Sequence, residues 1–278
     1  MDNMRAEDPP GDKSMKIILA LVCVFAAASA GAEPPQEAGS PEVWKFSSSF
    51  NYDTGKYGTP DRTNSVYIPF TLKRYFADGD LSVTVPYLRQ SSTGQVTWVG
   101  GKPVRVDKAP RAAAASSESG LGDIMLRGTY ALMREGQKAF DLGLAGRIKL
   151  PTAEENKGLG TGEMDGGAGL EFAKEINAGW TLLADAYYTI IGDPEGVDYN
   201  NQLALDLGFY KALNEDLGLT VIYETQSAIG DGGADPRSVS GTLSYAASAG
   251  LRFTGGLTLG LSDGSPDAGL SAGFSRKF

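Results

Sequence analysis

From residue 43 onward, apolar residues fall on alternate positions in successive runs bounded by turn-forming residues. In "NSVYIPFTLKRYF", Val66, Ile68, Phe70 and Leu72 share a face, and in "LSVTVPYL" Leu81, Val83, Val85 and Tyr87 do. "GDIMLRGTYAL" gives Ile124, Leu126, Gly128, Tyr130 and Leu132, and "FDLGLAGRIKLP" gives Leu142, Leu144, Gly146, Ile148 and Leu150. The same alternation continues to the terminal "AGLSAGFSRKF". With "VWKFSSSFNY" and "GAGLEFAKE" included, it predicts about twelve strands of about ten residues, the length of tilted membrane-spanning strands. The second face is small and polar, as Ser82, Thr84, Thr129, Thr181, Thr220, Thr242, Ser244 and Thr258 show. Apolar outside and polar inside predicts an all-β, up-and-down antiparallel transmembrane β-barrel.

The connections support the same reading. Short turns ("ADGD", "REGQKA", "INAG", "LNED", "ASAG") alternate with longer loops. In outer-membrane barrels the short turns are periplasmic and the long loops extracellular, which puts both barrel ends on the periplasmic side. The largest loop, residues 89–119, contains Val96, Trp98, Val99, Val104 and Val106, and would either extend outside or fold inward as a constriction. Trp44, Tyr75, Phe76, Tyr87, Phe140, Trp180 and Phe278 cluster near strand ends, where interfacial aromatic girdles sit. The last strand resembles the signal read by the outer-membrane assembly machinery: polar Ser271, Gly273 two residues later, and terminal Phe278. Arg276 departs from that pattern, which usually has an apolar residue there.

Composition narrows the function classes. The chain has 278 residues, a net charge of −9 and no histidine. The acidic balance argues against nucleic-acid binding. The lack of histidine removes the commonest general base and metal ligand, so an enzyme is not expected, and neither a cofactor nor a metal is implied. "MKIILALVCVFAAASAGAEPP" reads as a secretory signal peptide containing the single cysteine, Cys23, with cleavage after Ala32. The expected organisation is a leader and signal peptide over 1–32, with Met15 as an alternative start, a short periplasmic lead over 33–42 and a barrel over 43–278. Expected partners are outer-membrane lipid and lipopolysaccharide, the assembly machinery and a small solute.

Strand parity also predicts charge in the lumen. Lys45, Lys73, Arg127, Arg147 and Lys149 form a basic wall, to which Arg252 and Lys277 return at the end of the chain. Glu171, Asp185, Asp206 and Glu224 form an acidic wall. Counting along the strands puts Arg127 and Arg147 near the depth of Glu171, Asp185 and Glu224. Opposed walls would either orient polar solutes in a transverse field or brace a closed interior. "GLGTG" lacks the helix and Lys-Ser/Thr of a phosphate loop, and the acidic loop residues match no ion-binding spacing.

Two stretches carry a family resemblance. Gly120-Leu121-Gly122-Asp123 opens one strand, Leu150-Pro151-Thr152 closes the next, and Gly158 to Gly162 follow in the loop. From about Val43 to the C-terminus the chain resembles the phenol-degradation MetA-pathway family of outer-membrane barrels, although Ala153 replaces a glycine common there. The resemblance implies a channel or transporter for small solutes, including small aromatic or hydrophobic compounds. The alternative is a non-conducting barrel that binds a ligand or partner, or supports the membrane.

Overall fold

The computed structural model describes residues 43–92, 96–99, 102–105, 116–230 and 232–278. The expected leader, signal peptide and periplasmic lead lie outside them. Among the described residues, fifteen strands follow one another: β1 (Trp44–Gly55), β2 (Thr63–Phe76), β3 (Gly79–Ser92), β4 (Val96–Val99), β5 (Lys102–Arg105), β6 (Ser116–Leu121), β7 (Ile124–Met133), β8 (Asp141–Leu150), β9 (Asp165–Asn177), β10 (Trp180–Ile190), β11 (Gln202–Ala212), β12 (Leu217–Gln226), β13 (Arg237–Ser248), β14 (Leu251–Gly260) and β15 (Ala268–Lys277).

All except β4 and β5 belong to one antiparallel sheet that closes on itself through the β1–β15 and β2–β3 pairings. Strand β3 pairs with β6 over its outer half and with β7 over its inner half, so β6 and β7 are one barrel strand interrupted at Gly122-Asp123. The result is a twelve-strand barrel. The interruption has a local cause. Gly122 donates its N–H to the Pro86 carbonyl at 2.9 Å, and a Cβ at Gly122 would lie 2.6 Å from a methyl of Leu88. Only a residue without a side chain allows this approach.

Period two separates the barrel's faces. Phe70, Leu81, Leu144, Leu170, Leu207 and Leu257 are exposed on the outside, where lipid would cover them. Ser65, Asp80, Thr129, Glu171, Asp185, Asp206, Thr220 and Ser244 are buried on the inside. Small polar residues do not fill this interior alone. Tyr67, Leu88, Leu183, Tyr187, Tyr210 and Ile222 also point inward and are buried. A barrel of this size must pack part of its interior with bulk, which composition by face does not reveal. Tyr75 also departs from the expected girdle, because it shares the inward parity of Lys73 and its ring lies 5.6 Å from the Lys73 Nζ.

The β4–β5 hairpin folds inward at the long-loop end. Trp98 stacks on Tyr67 with ring centroids 5.4 Å apart, and packs in a cluster with Leu88 and Leu159. Val104 joins a second cluster with Ile191, Tyr199 and Ile229. Gln90 on β3 donates to the Val96 carbonyl at 2.7 Å. The hairpin thus ties the β2–β3 wall to the loops above β10 and β12. Burial, with help from Asp165 and Asp193, pushes the Tyr199 hydroxyl up to about 12, so it sits in its cluster as a neutral group.

Candidate functional site: a charged interior beneath an occluded mouth

The site grows out of strand register. Inward-facing residues at the same depth on adjacent strands become cross-strand neighbours. Glu171 on β9 lies opposite Asp185 on β10, Asp185 opposite Asp206 on β11, and Asp206 opposite Glu224 on β12. Four carboxylates therefore occupy consecutive positions around one wall. Like charges directly opposite one another cost stability, so this row works against the fold.

A cation meets the row at one end. Arg127 on β7 donates to Glu171, and the Tyr187 hydroxyl on β10 also donates to Glu171. The Arg127 guanidinium reaches the Tyr187 hydroxyl as well, at 3.0 Å. Arg147 on β8 lies directly opposite Arg127 in the sheet. It donates to Thr189 and lies 5.5 Å from the centre of the Tyr187 ring. Tyr187 thus separates two guanidinium groups, binding one through its hydroxyl and the other through its ring face.

Lys149 has a different environment. Its ammonium is held by Asp165 at 2.9 Å, Asp123 at 3.6 Å and the Thr161 hydroxyl at 2.7 Å, and the side chain is 2% exposed. Asp123 also accepts from the Ala153 N–H at 3.0 Å, and the Thr152 hydroxyl donates to the Gly122 carbonyl at 3.2 Å. These contacts fasten the strand interruption to the loop after β8. A cavity of about 10 Å³, roughly one water in size, lies between Arg147, Lys149, Asp165, Thr189 and Gln202.

The remaining basic residues gather at the short-turn end. Lys45 on β1 lies opposite Lys73 on β2 and opposite Lys277 on β15. Arg252 on β14 is opposite Ser275, two residues before Lys277. Lys73 pairs with Asp80 at 3.1 Å. The assembly-signal residues lie on β15 and at its end: Ser271 is opposite Asn51, Gly273 is opposite Ser49, and Phe278 exchanges two backbone hydrogen bonds with Trp44 at 2.9 and 3.0 Å. Sequence reading did not single out Asp80, Asp165 or Tyr187, and named Asp123 only within a family motif. Each has the inward parity of a neighbouring charge, and that parity was the available signal.

The family model described as "Putative MetA-pathway of phenol degradation" matches residues 45–278, the whole barrel. The chain belongs to this family. Among solved structures it resembles an outer membrane channel from Pseudomonas putida F1 at 16% identity and a TM-score of 0.64, over 87% of this chain and 97% of that one. It also resembles the NanC porin at 9% identity and a TM-score of 0.53, over 84% of this chain and all (100%) of that one. No curated protein sequence is a significant match. These likenesses give the fold, a closed β-barrel of the kind seen in outer-membrane proteins.

Proposed function

We propose that the protein is a gated channel for small solutes, with aromatic compounds among them, and that its interior charges line the route. The observation that carries this reading is the row Glu171, Asp185, Asp206 and Glu224 beside the Arg127 and Arg147 guanidiniums. Ionisable groups at membrane depth are costly and mark solute pathways more often than they serve the fold. Adjoining rows of opposite charge create a field across the lumen that turns a dipolar solute as it passes. The family's description and the channels among its structural neighbours support passage of small solutes. In this reading the protein performs no catalysis. It reaches the outer membrane through a cleaved signal peptide and the assembly machinery, and sits among lipid and lipopolysaccharide.

One observation favours the second reading, a barrel that does not conduct. The β4–β5 hairpin is seated in two apolar clusters across the extracellular mouth. The gated reading requires that this seat can be vacated. Planar-bilayer recording of refolded protein under a salt gradient tests it. Unitary steps in the wild type, with longer open times in Trp98→Ala, are expected. A silent bilayer for both proteins, with folding verified by heat-modifiable gel mobility, would leave the non-conducting barrel.

A further inference from the structure

Period two also identifies the inward residues that the packed interior leaves uncovered. On β10 every inward side chain, Thr181, Leu183, Asp185, Tyr187 and Thr189, is buried. Counting around the twelve-strand barrel, β10 lies across from β1. There Ser47 and Ser49 share the inward parity of buried Lys45 and Asn51, yet both are partly exposed. Their neighbours behave alike. Ser47 lies directly opposite Ser275 on β15 and Thr71 on β2, and Thr71 lies opposite Thr84 on β3. All four are partly exposed. An inward group that water reaches borders lumen that side chains do not fill. Tyr67 and Leu88 fill β2 and β3 nearer the mouth, so this free space lies in the periplasmic half, off the barrel axis, against β15, β1, β2 and β3.

The wall of that space is made of hydroxyls. Ser275, Ser47, Thr71 and Thr84 stand in unbroken cross-strand register, and the Thr71 and Thr84 hydroxyls share a hydrogen bond at 2.8 Å. One step toward the mouth, Thr254 and Ser49 lie on either side of Gly273. A Cβ at Gly273 would sit 2.8 Å from the Ser49 Cβ and 3.1 Å from the Thr254 hydroxyl, so the glycine lets these two side chains close over it. Charges border the row without interrupting it. Arg252 is opposite Ser275 at one end, and Lys277, Lys45 and Lys73 form the next row toward the periplasm, with Lys73 paired to Asp80. A hydroxyl both donates and accepts, so such a row exchanges a bound water for another hydroxyl at little net cost.

We propose that solutes cross the periplasmic half of the barrel along this hydroxyl row, on the side of the lumen away from the carboxylates, and that the row favours uncharged solutes bearing hydroxyl groups. Each solute hydroxyl takes the place of a water on Ser47, Thr71 or Ser275. A solute without such groups displaces those waters and returns nothing for them. The proposal deepens the channel reading and rests on it for transport, but the position of the free space does not depend on conduction.

Cysteine accessibility in the refolded full chain, carrying Cys23→Ala, locates the space. With methyl methanethiosulfonate as the probe and intact mass as the readout, Ser47→Cys and Ser275→Cys should react at least about tenfold faster than Leu183→Cys, a buried inward position on the far wall. Equal rates overturn the off-axis space. Liposome swelling in xylitol reads the selection. Ser47→Ala/Thr71→Val removes two hydroxyls without narrowing the lumen and should slow xylitol entry at least about threefold, with ion conductance unchanged. Ser48→Ala, one residue along on the lipid face, should have no effect. Unslowed xylitol entry in the double variant overturns the selection. Folding of each variant is checked by heat-modifiable mobility, and Ser275→Ala serves with the same expected direction should the double variant not fold. A wild type that neither swells nor conducts, with Ser47→Cys still reacting faster than Leu183→Cys, would defeat the channel reading and leave the off-axis space standing.

Discussion

Glu171 has two donors, the Arg127 guanidinium and the Tyr187 hydroxyl, and they differ in weight. Losing the carboxylate leaves the buried Arg127 guanidinium without its ion-pair partner and directly opposite Arg147, so Glu171→Gln should cost about 3 kcal/mol. Tyr187→Phe removes one neutral donor and should cost about 1 kcal/mol. Urea titration of the barrel refolded in lipid should rank them in that order, and a reversed order would mean the tyrosine, not the ion pair, holds this wall. Lys149 belongs to another category. Sequence parity puts it on the same wall as Arg147, but its ammonium is enclosed by Asp123, Asp165 and Thr161. Lys149→Met should therefore destabilise the fold by about 3 kcal/mol through two buried carboxylates left without their cation. Arg147→Gln should leave the fold nearly intact and shift the reversal potential of an open channel toward cations. Unchanged selectivity in a conducting Arg147→Gln barrel would place that guanidinium off the ion path. Parity shows which face a lysine is on but cannot show that Asp123 reaches it from a strand interruption, because that contact depends on a long loop closing.

The strands themselves were legible element by element, for a physical reason. A side-chain period of two admits no drift, and a tight turn transmits register from one strand to the next. Asp206 and Glu224 flank the short turn between β11 and β12, so their pairing follows from counting, whereas a register shift between Trp180 and Thr181 brings Asp185, not Ala186, opposite Glu171. The β4–β5 hairpin had no such constraint. Its valines and Trp98 allow an outward extension or an inward fold, and the choice rests on Tyr67, Leu88 and Leu159, which come from three separate elements. Inward bulk was underestimated for a related reason. Alternation reports polarity by face, whereas Tyr187 and Leu183 respond to the volume a narrow barrel must fill. That volume is shared tightly. A Cβ at Gly169 would lie 2.5 Å from the Tyr187 ring. Gly169→Val should displace Tyr187 and loosen the Arg127–Glu171 contact, measured as a lower urea midpoint than Tyr187→Phe alone gives.

At the scale of the molecule, both faces of the sheet obey one rule, apolar toward lipid and ionic or packed toward the axis, and the family assignment covers this whole sheet. The barrel is closed by β1 against β15, and Phe278 and Trp44 complete the seam with paired backbone hydrogen bonds. Deleting Phe278 removes one of those pairs along with the terminal aromatic. Pulse-chase recovery of folded barrel in outer-membrane fractions should fall severalfold, and full recovery would show that the seam tolerates a frayed end.

The seam also dictates when folding can finish. The two strands that meet there lie at opposite ends of the barrel sequence, so they cannot pair while the chain is still being made. Until then β1 presents an open row of amide and carbonyl groups, a template for pairing with any other extended chain. Contacts this remote in sequence form slowly. The chain therefore stays unclosed until its last strand is available, and its vulnerable period is set by that closure.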